Sequence, residues 1–351
     1  MNKIKFDFDD ILLVPAEQTS INSRSEVDPF YNSESKKLPI FSAPMDMIVS
    51  NKNVETFIKE GISVCLPRGV DYHINNEHCF YSMSLDDFEQ IFVLKNKILP
   101  NVLFKNTENG EKMYVLIDIA NGHMKKMADV IKAAKETYHD QLIIMCGNIA
   151  NSYTYKLLSD AGASYIRLGI GTGNFCLTSQ NVAIGYPLAS LIQECYKIKQ
   201  TLVNSADIIA DGGMKKYSDI IKALALGASS VMIGTQFNKC IESSGYNYFF
   251  GIEIPQKLAA FLFKYGCKIK KKMRGMSTKE VQKSWGKKQL TTSEGIVKKQ
   301  IVEYTLPGWR ENFTDYLKSS MSYCGAKTLD EFIGKVKYVH ITESAQNRFK
   351  K

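Results

Sequence analysis

The stretch GIGTGNFCLTSQ sets Gly169, Gly171 and Gly173 alternately ahead of Cys176, with Thr178 two residues beyond the cysteine. Alternating glycines remove side chains, so backbone groups can approach a ligand or an ion. A cysteine held in such a turn meets N–H groups or a nearby cation that lower its pKa and supply thiolate. A thiolate is a strong nucleophile and can hold a covalent intermediate. In IADGG, Asp211 precedes Gly212 and Gly213. Its carboxylate could accept the two hydroxyls of a ribose while the glycine amides hold a phosphate, and the competing role is a helix cap. Asp118 in IDIANGH has a similar setting, with substrate binding and a structural role both open. Glu294 closes the long basic stretch from Ser244 to Gly295 and would, by itself, read as a surface glutamate.

These residues need elements to position them. Short apolar, β-rich runs recur at Leu38–Ala43, Ile62–Leu66, Phe80–Ser84, Met113–Ala120, Gln141–Asn148, Ser164–Gly171, Asp207–Gly213 and Ser229–Thr235, most followed by a loop and a helical pattern. Eight such units predict a (β/α)8 TIM barrel; an open doubly wound sheet is the alternative, because periodicity does not show whether a sheet closes. Ser152 reads as an N-cap and Gly162 as a helix stop, and Ser218–Gly227 has the same punctuation. On a barrel the segments after the strands form the catalytic rim. Gly171 and Gly173, Gly212 and Gly213, and Gly234 all fall there, where glycine loops after the last strands form phosphate sites. Without repeats or a low-complexity linker, residues 1–351 read as one catalytic domain, with a flap or insertion at about 244–310. A long loop on a barrel rim is a lid or a binding loop.

Composition narrows the class. The chain has 351 residues, 44% of them hydrophobic, enough for a sizeable core. Its net charge of +9 lies partly in Lys-rich segments such as CKIKKKMR. No nucleic-acid recognition motif accompanies that charge, and attraction for a small phosphorylated substrate explains it more simply. Eight scattered cysteines, without a CxxC pair or a His cluster, argue against a zinc site and a disulfide framework. The N-terminus is unlike a signal peptide and no apolar run reaches membrane length, so the expected setting is cytoplasmic, with neither a membrane nor a nucleic-acid partner.

The motifs FDFDDILLVP, LPIFSAPMD, GNIA, GIGTGNFCLT, GYPLAS, IADGG, KALALGASSVMIGT, RGMS and TTSEG occur in order over roughly residues 5 to 340. In this the chain resembles the inosine monophosphate dehydrogenase and guanosine monophosphate reductase family, which has the (β/α)8 barrel. Two features point to the reductase branch. The interval from Leu66 to Phe80 has no room for the regulatory domain pair that dehydrogenases usually insert, and Gly275 through Trp309 lacks the arginine of their water-activating Arg-Tyr pair.

The resemblance implies NADPH-dependent reductive deamination of guanosine monophosphate (GMP) to inosine monophosphate (IMP) and ammonia. In it Cys176 attacks C2 of the base, and Thr178 and Glu294 assist proton transfer. It further implies Asp211 on the ribose, Gly213 and Gly234 at the phosphate, and Met276 and Ser277 at the base, with Gly212, Thr235 and Gly275 also binding substrate and Asp118, Arg68 and Ser293 the cofactor. Backbone carbonyls of Gly171, Gly173 and Cys176 would form a monovalent cation site for K+, in a homotetramer.

The chain departs from the family pattern at three places. Thr172, Gly173 and Asn174 replace the usual P-G-S, Thr291 stands where reductases commonly carry arginine, and Pro67-Arg68 replaces a His-Lys pair. An IMP dehydrogenase without the regulatory domain, and a purine-nucleotide-binding relative with altered substrate or no activity, therefore stay open as alternatives.

Overall fold

Parallel strands buried on both faces read as nearly continuous apolar runs, and all eight runs become strands. The computed structural model describes residues 4–173, 177–275, 278, 281 and 295–349. After a short β1 (Ile11–Leu13) come β2 (Ile40–Ser42), β3 (Ser63–Cys65), β4 (Cys79–Met83), β5 (Met113–Asp118), β6 (Leu142–Ile149), β7 (Tyr165–Leu168), β8 (Asp207–Asp211) and β9 (Ser230–Ile233). They pair in parallel and in chain order, and β9 returns to β2 through Ile40↔Val231, Phe41↔Met232 and Ser42↔Ile233. The sheet is therefore a closed barrel, and the open-sheet alternative is excluded.

Helices separate most of the strands, among them Lys125–Tyr138, Ser152–Asp160, Leu188–Lys199 and Tyr217–Leu226. Asn151, not Ser152, caps the second of these: its side chain accepts from the N–H groups of Tyr153 and Thr154, and Ser152 is the first helical residue. Among the described residues no helix stands between β3 and β4, which are joined directly by the loop 66–78. Inside the barrel, Phe41, Phe80, Tyr114 and Tyr165 meet edge to face and plug the end where the strands begin. Arg167 lies two residues beyond Tyr165 and so on the same inward face of β7, nearer the catalytic rim.

Beyond β9 the sequence suggests a long loop, but most of its described part is regular. Strands β10 (Asn247–Phe249), β11 (Ile252–Ile254), β12 (Lys270–Arg274) and β13 (Val297–Ile301) form an antiparallel sheet in the order β11-β10-β12-β13. Helix Gln256–Lys264 accompanies it, and Ile241, Ala259, Ile269 and Val302 form its own small apolar core. Finally β14 (Tyr338–His340) pairs with β1.

Candidate active site

Arg167 is the centre of the rim. Its guanidinium donates from Nη1 to Asp118 Oδ1 at 2.7 Å, and from Nη2 and Nε to Asp211 Oδ2 at 2.7 and 3.2 Å. The side chains are nearly enclosed, at 7% exposure for Arg167 and 14% for each aspartate. Burial alone opposes charge on Arg167, but Asp211 and Asp118 outweigh it and raise its pKa further, so the cation persists at any working pH. Asn148 adds a third contact, donating to Asp211 Oδ2 at 2.7 Å and to the Gly169 carbonyl at 2.9 Å. A register shift between β6 and β7 at this point re-aims Asn148 into the site, as bulges do near strand ends. Gly147 permits the approach, since a Cβ there would lie 2.6 Å from the Arg167 carbonyl oxygen.

Asp118 and Asp211, read separately from sequence, are thus tied by one guanidinium. Arg68 joins them, its Nε 3.4 Å from Asp118 Oδ2. All bonds to the Asp211 carboxylate among the described residues fall on Oδ2, which leaves Oδ1 for a ligand hydroxyl. Spacing alone does not single out Arg167 or Asn148; the sequence signal for Arg167 is its place inside an otherwise apolar strand, where an arginine needs buried partners.

The glycine loops interlock as their spacing suggests. Thr172 Oγ1 donates to the Asp211 carbonyl at 3.0 Å, and a Cβ on Gly212 would meet the same Thr172 Oγ1 at 3.0 Å. Gly213, at φ +78°, faces Thr172 as well. Gly171, at φ +74°, packs so closely on Ser179 that a Cβ would lie 2.9 Å from it, and Ser179 Oγ donates to the Gly171 carbonyl. Thr178 begins the short helix Thr178–Asn181. The chain between Gly173 and this helix holds Cys176, which lies outside the described residues together with Asn174. Among the barrel cysteines, burial pushes the Cys79 and Cys146 thiols up to about 12, and Cys65 rises further, which disfavours the reactive thiolate at these three.

The remaining candidates fall on neighbouring parts of the rim. Gly234 ends β9 against Ala43 and Met45, and Thr235 opens helix Thr235–Asn238. Gly275 sits where β12 leaves the small sheet, its N–H bonded to the Ile296 carbonyl at 3.1 Å. Arg274, beside it, pairs with Asp46 in the loop after β2 and ties the small sheet to the barrel rim. Met276, Ser277, Thr291, Ser293 and Glu294 lie outside the described residues. Among the described residues no group of His, Cys, Asp and Glu could hold a metal ion.

Comparison with known proteins agrees with this architecture. The family model described as "IMP dehydrogenase / GMP reductase domain" matches residues 108–349. The chain is 30% identical to the GMP reductase of Bacillus subtilis, over 97% of this chain and 98% of the relative. It is 30% identical to the GMP reductase of Staphylococcus carnosus with the same coverage, and 27% identical to GMP reductase 2 of Homo sapiens over 99% of this chain and 97% of the relative. With the closed parallel barrel and its glycine-lined rim, the family model matching more than half of its length means that the chain belongs to the IMP dehydrogenase / GMP reductase family of oxidoreductases.

Proposed function

We propose that this protein is a GMP reductase that uses NADPH to convert GMP to IMP and ammonia. The observation that carries the reading is the end-to-end match to relatives named GMP reductase, which leaves no unmatched span for an inserted regulatory domain. Asp211 would hold the ribose through Oδ1, steadied from behind by Arg167 and Asn148. Gly212, Gly213, Gly234 and Thr235 would meet the phosphate, because bare N–H groups on a rim favour an anion. Gly275, Met276 and Ser277 would enclose the base. Cys176 thiolate would form a bond to C2 as the amino group departs with a proton supplied through Thr178 and Glu294. The reduced nicotinamide, when bound, supplies the hydride to C2. The C2–sulfur bond then breaks to return the thiolate and release IMP.

Asp118 fits a cofactor-facing role, since Arg167 and Arg68 fix its carboxylate at the rim. Ser293 would add a contact from the flap. The carbonyls of Gly171, Gly173 and Cys176 are neutral oxygen donors, which suit a weakly charged ion such as K+ better than zinc, and the glycine packing against Ser179 keeps that turn tight. A homotetramer in the cytoplasm is part of this reading. The test follows NADPH absorbance with GMP and K+ and measures ammonia in parallel, with Cys176→Ala as the blank. NADPH loss matched by ammonia and abolished in the variant is expected. NAD-dependent turnover of IMP instead would make it a dehydrogenase, and nucleotide binding without any turnover would make it a binding relative.

A further inference from the structure

The chain's charge is not spread evenly along its sequence. Residues 246–303 contain thirteen basic and four acidic residues, a balance equal to the whole +9, so the rest of the chain is neutral overall. The same segment carries unusually exposed apolar side chains: Phe250 at 90%, Ile252 at 70%, Tyr265 at 70% and Phe261 at 57%. Phe250 and Gly251 form the two-residue turn between β10 and β11, where the last pair is Phe249↔Ile252. Both turn residues have positive φ, 47° and 87°. Such turns favour Asn-Gly, and a phenylalanine held in the left-handed region with its ring in water costs backbone and hydration energy together. On helix Gln256–Lys264, Ala259 faces the small core while Lys257, Phe261 and Lys264 point away from it. Lys272 stands directly opposite Lys299 across β12 and β13, which concentrates positive charge on this sheet.

We propose that the face formed by the Phe250 turn, helix Gln256–Lys264 and the lysines around them docks on an anionic lipid surface. Apolar side chains at a turn tip and on an outward helix face enter the headgroup boundary, and the surrounding lysines meet the negative leaflet. Single-stranded nucleic acid fits less well. Phe250, Phe261 and Tyr265 could stack on bases, but Ile252 beside the tip and the exposed Leu258 offer only apolar bulk, which a headgroup boundary takes up and a base does not. A second copy of the same face is disfavoured by like charge. The expectation of no membrane partner rested on spanning segments, and no described helix is long and apolar enough to cross a membrane. A surface contact needs none.

Flotation of the full chain with phosphatidylcholine vesicles, with or without about 30% phosphatidylserine, tests this. Retention by the anionic vesicles alone is expected, weakening as salt rises from about 0.1 M to about 0.5 M. Phe250→Asn puts the residue the turn favours at the tip, so the variant should fold at least as well, which its melting temperature checks. It should lower vesicle partitioning by roughly tenfold or more. Lys264→Glu with Lys268→Glu should lower it as well. No retention by anionic vesicles overturns the proposal, and so does retention that Phe250→Asn leaves unchanged. Binding of a single-stranded oligonucleotide with vesicles inert would transfer the face to nucleic acid.

Discussion

Removing the cation at the centre of the rim is the sharpest test of the site's construction. Arg167→Met keeps most of the side-chain volume and leaves Asp118 and Asp211 facing each other across the space that the guanidinium filled. At an effective dielectric of about 20, each close ion contact is worth about 4 kcal/mol, while each buried ion loses several kcal/mol of hydration. In the native protein these oppose each other; in the variant the hydration loss and the mutual repulsion of the carboxylates remain, offset only by Arg68 at Asp118 and Asn148 at Asp211. The expected destabilisation is about 3–5 kcal/mol at neutral pH. One carboxylate should then take up a proton where it is ionised in the unfolded chain, so the variant's stability falls as pH rises from acid to neutral. Urea unfolding at about pH 5 and about pH 8 therefore reads a larger loss at the higher pH. Arg167→Lys should recover only part of it, because an ammonium cannot fork between two acids. A loss under about 1 kcal/mol, equal at both pH values, would refute the argument that these charges hold the rim together.

Three further outcomes follow from particular contacts. Gly169→Ala places a Cβ 2.4 Å from the Asp211 carbonyl oxygen, so it should cost about 2 kcal/mol or more in chemical unfolding; Gly110→Ala, with open space at φ +68°, should cost about 1 kcal/mol or less. Lys271 is buried with its ammonium on the carbonyls of Ile241 and Ser243, and burial lowers its pKa from 10.5 to about 7. Above pH 7 the unfolded chain then binds more protons, so stability should rise by about 2 kcal/mol from pH 7 to 9, and Lys271→Met should abolish that rise. Burial also lowers the pKa of His123, whose Nε2 accepts from the Ala150 N–H at 3.0 Å. The stability of this contact should be lost as pH falls below about 6.5, seen as faster hydrogen exchange at Ala150 relative to its intrinsic rate.

The strand positions were legible because buried parallel strands cannot alternate with polar residues, so each one stood out as an apolar run. The glycines on the rim were equally plain, since Gly171, Gly212 and Gly213 adopt backbone conformations that other residues resist. The stretch after β9 was harder. Its lysines and aromatics suggested a loop, whereas cross-strand pairing such as Tyr248↔Lys270 makes a sheet that no local period announces. Ser152 is a common capping residue, but its neighbour Asn151 has the extended backbone and the correctly placed oxygen.

Which segments become strands, where the chain turns and which residue types collect on the rim are written in the local order of residues. Closure of the sheet through β2 and β9, and the reach of Arg167 to acids 49 and 44 residues away, arise from long-range packing alone. Local propensity acts over a few neighbouring residues, whereas a buried charge is stabilised only by partners that the closed barrel brings to it.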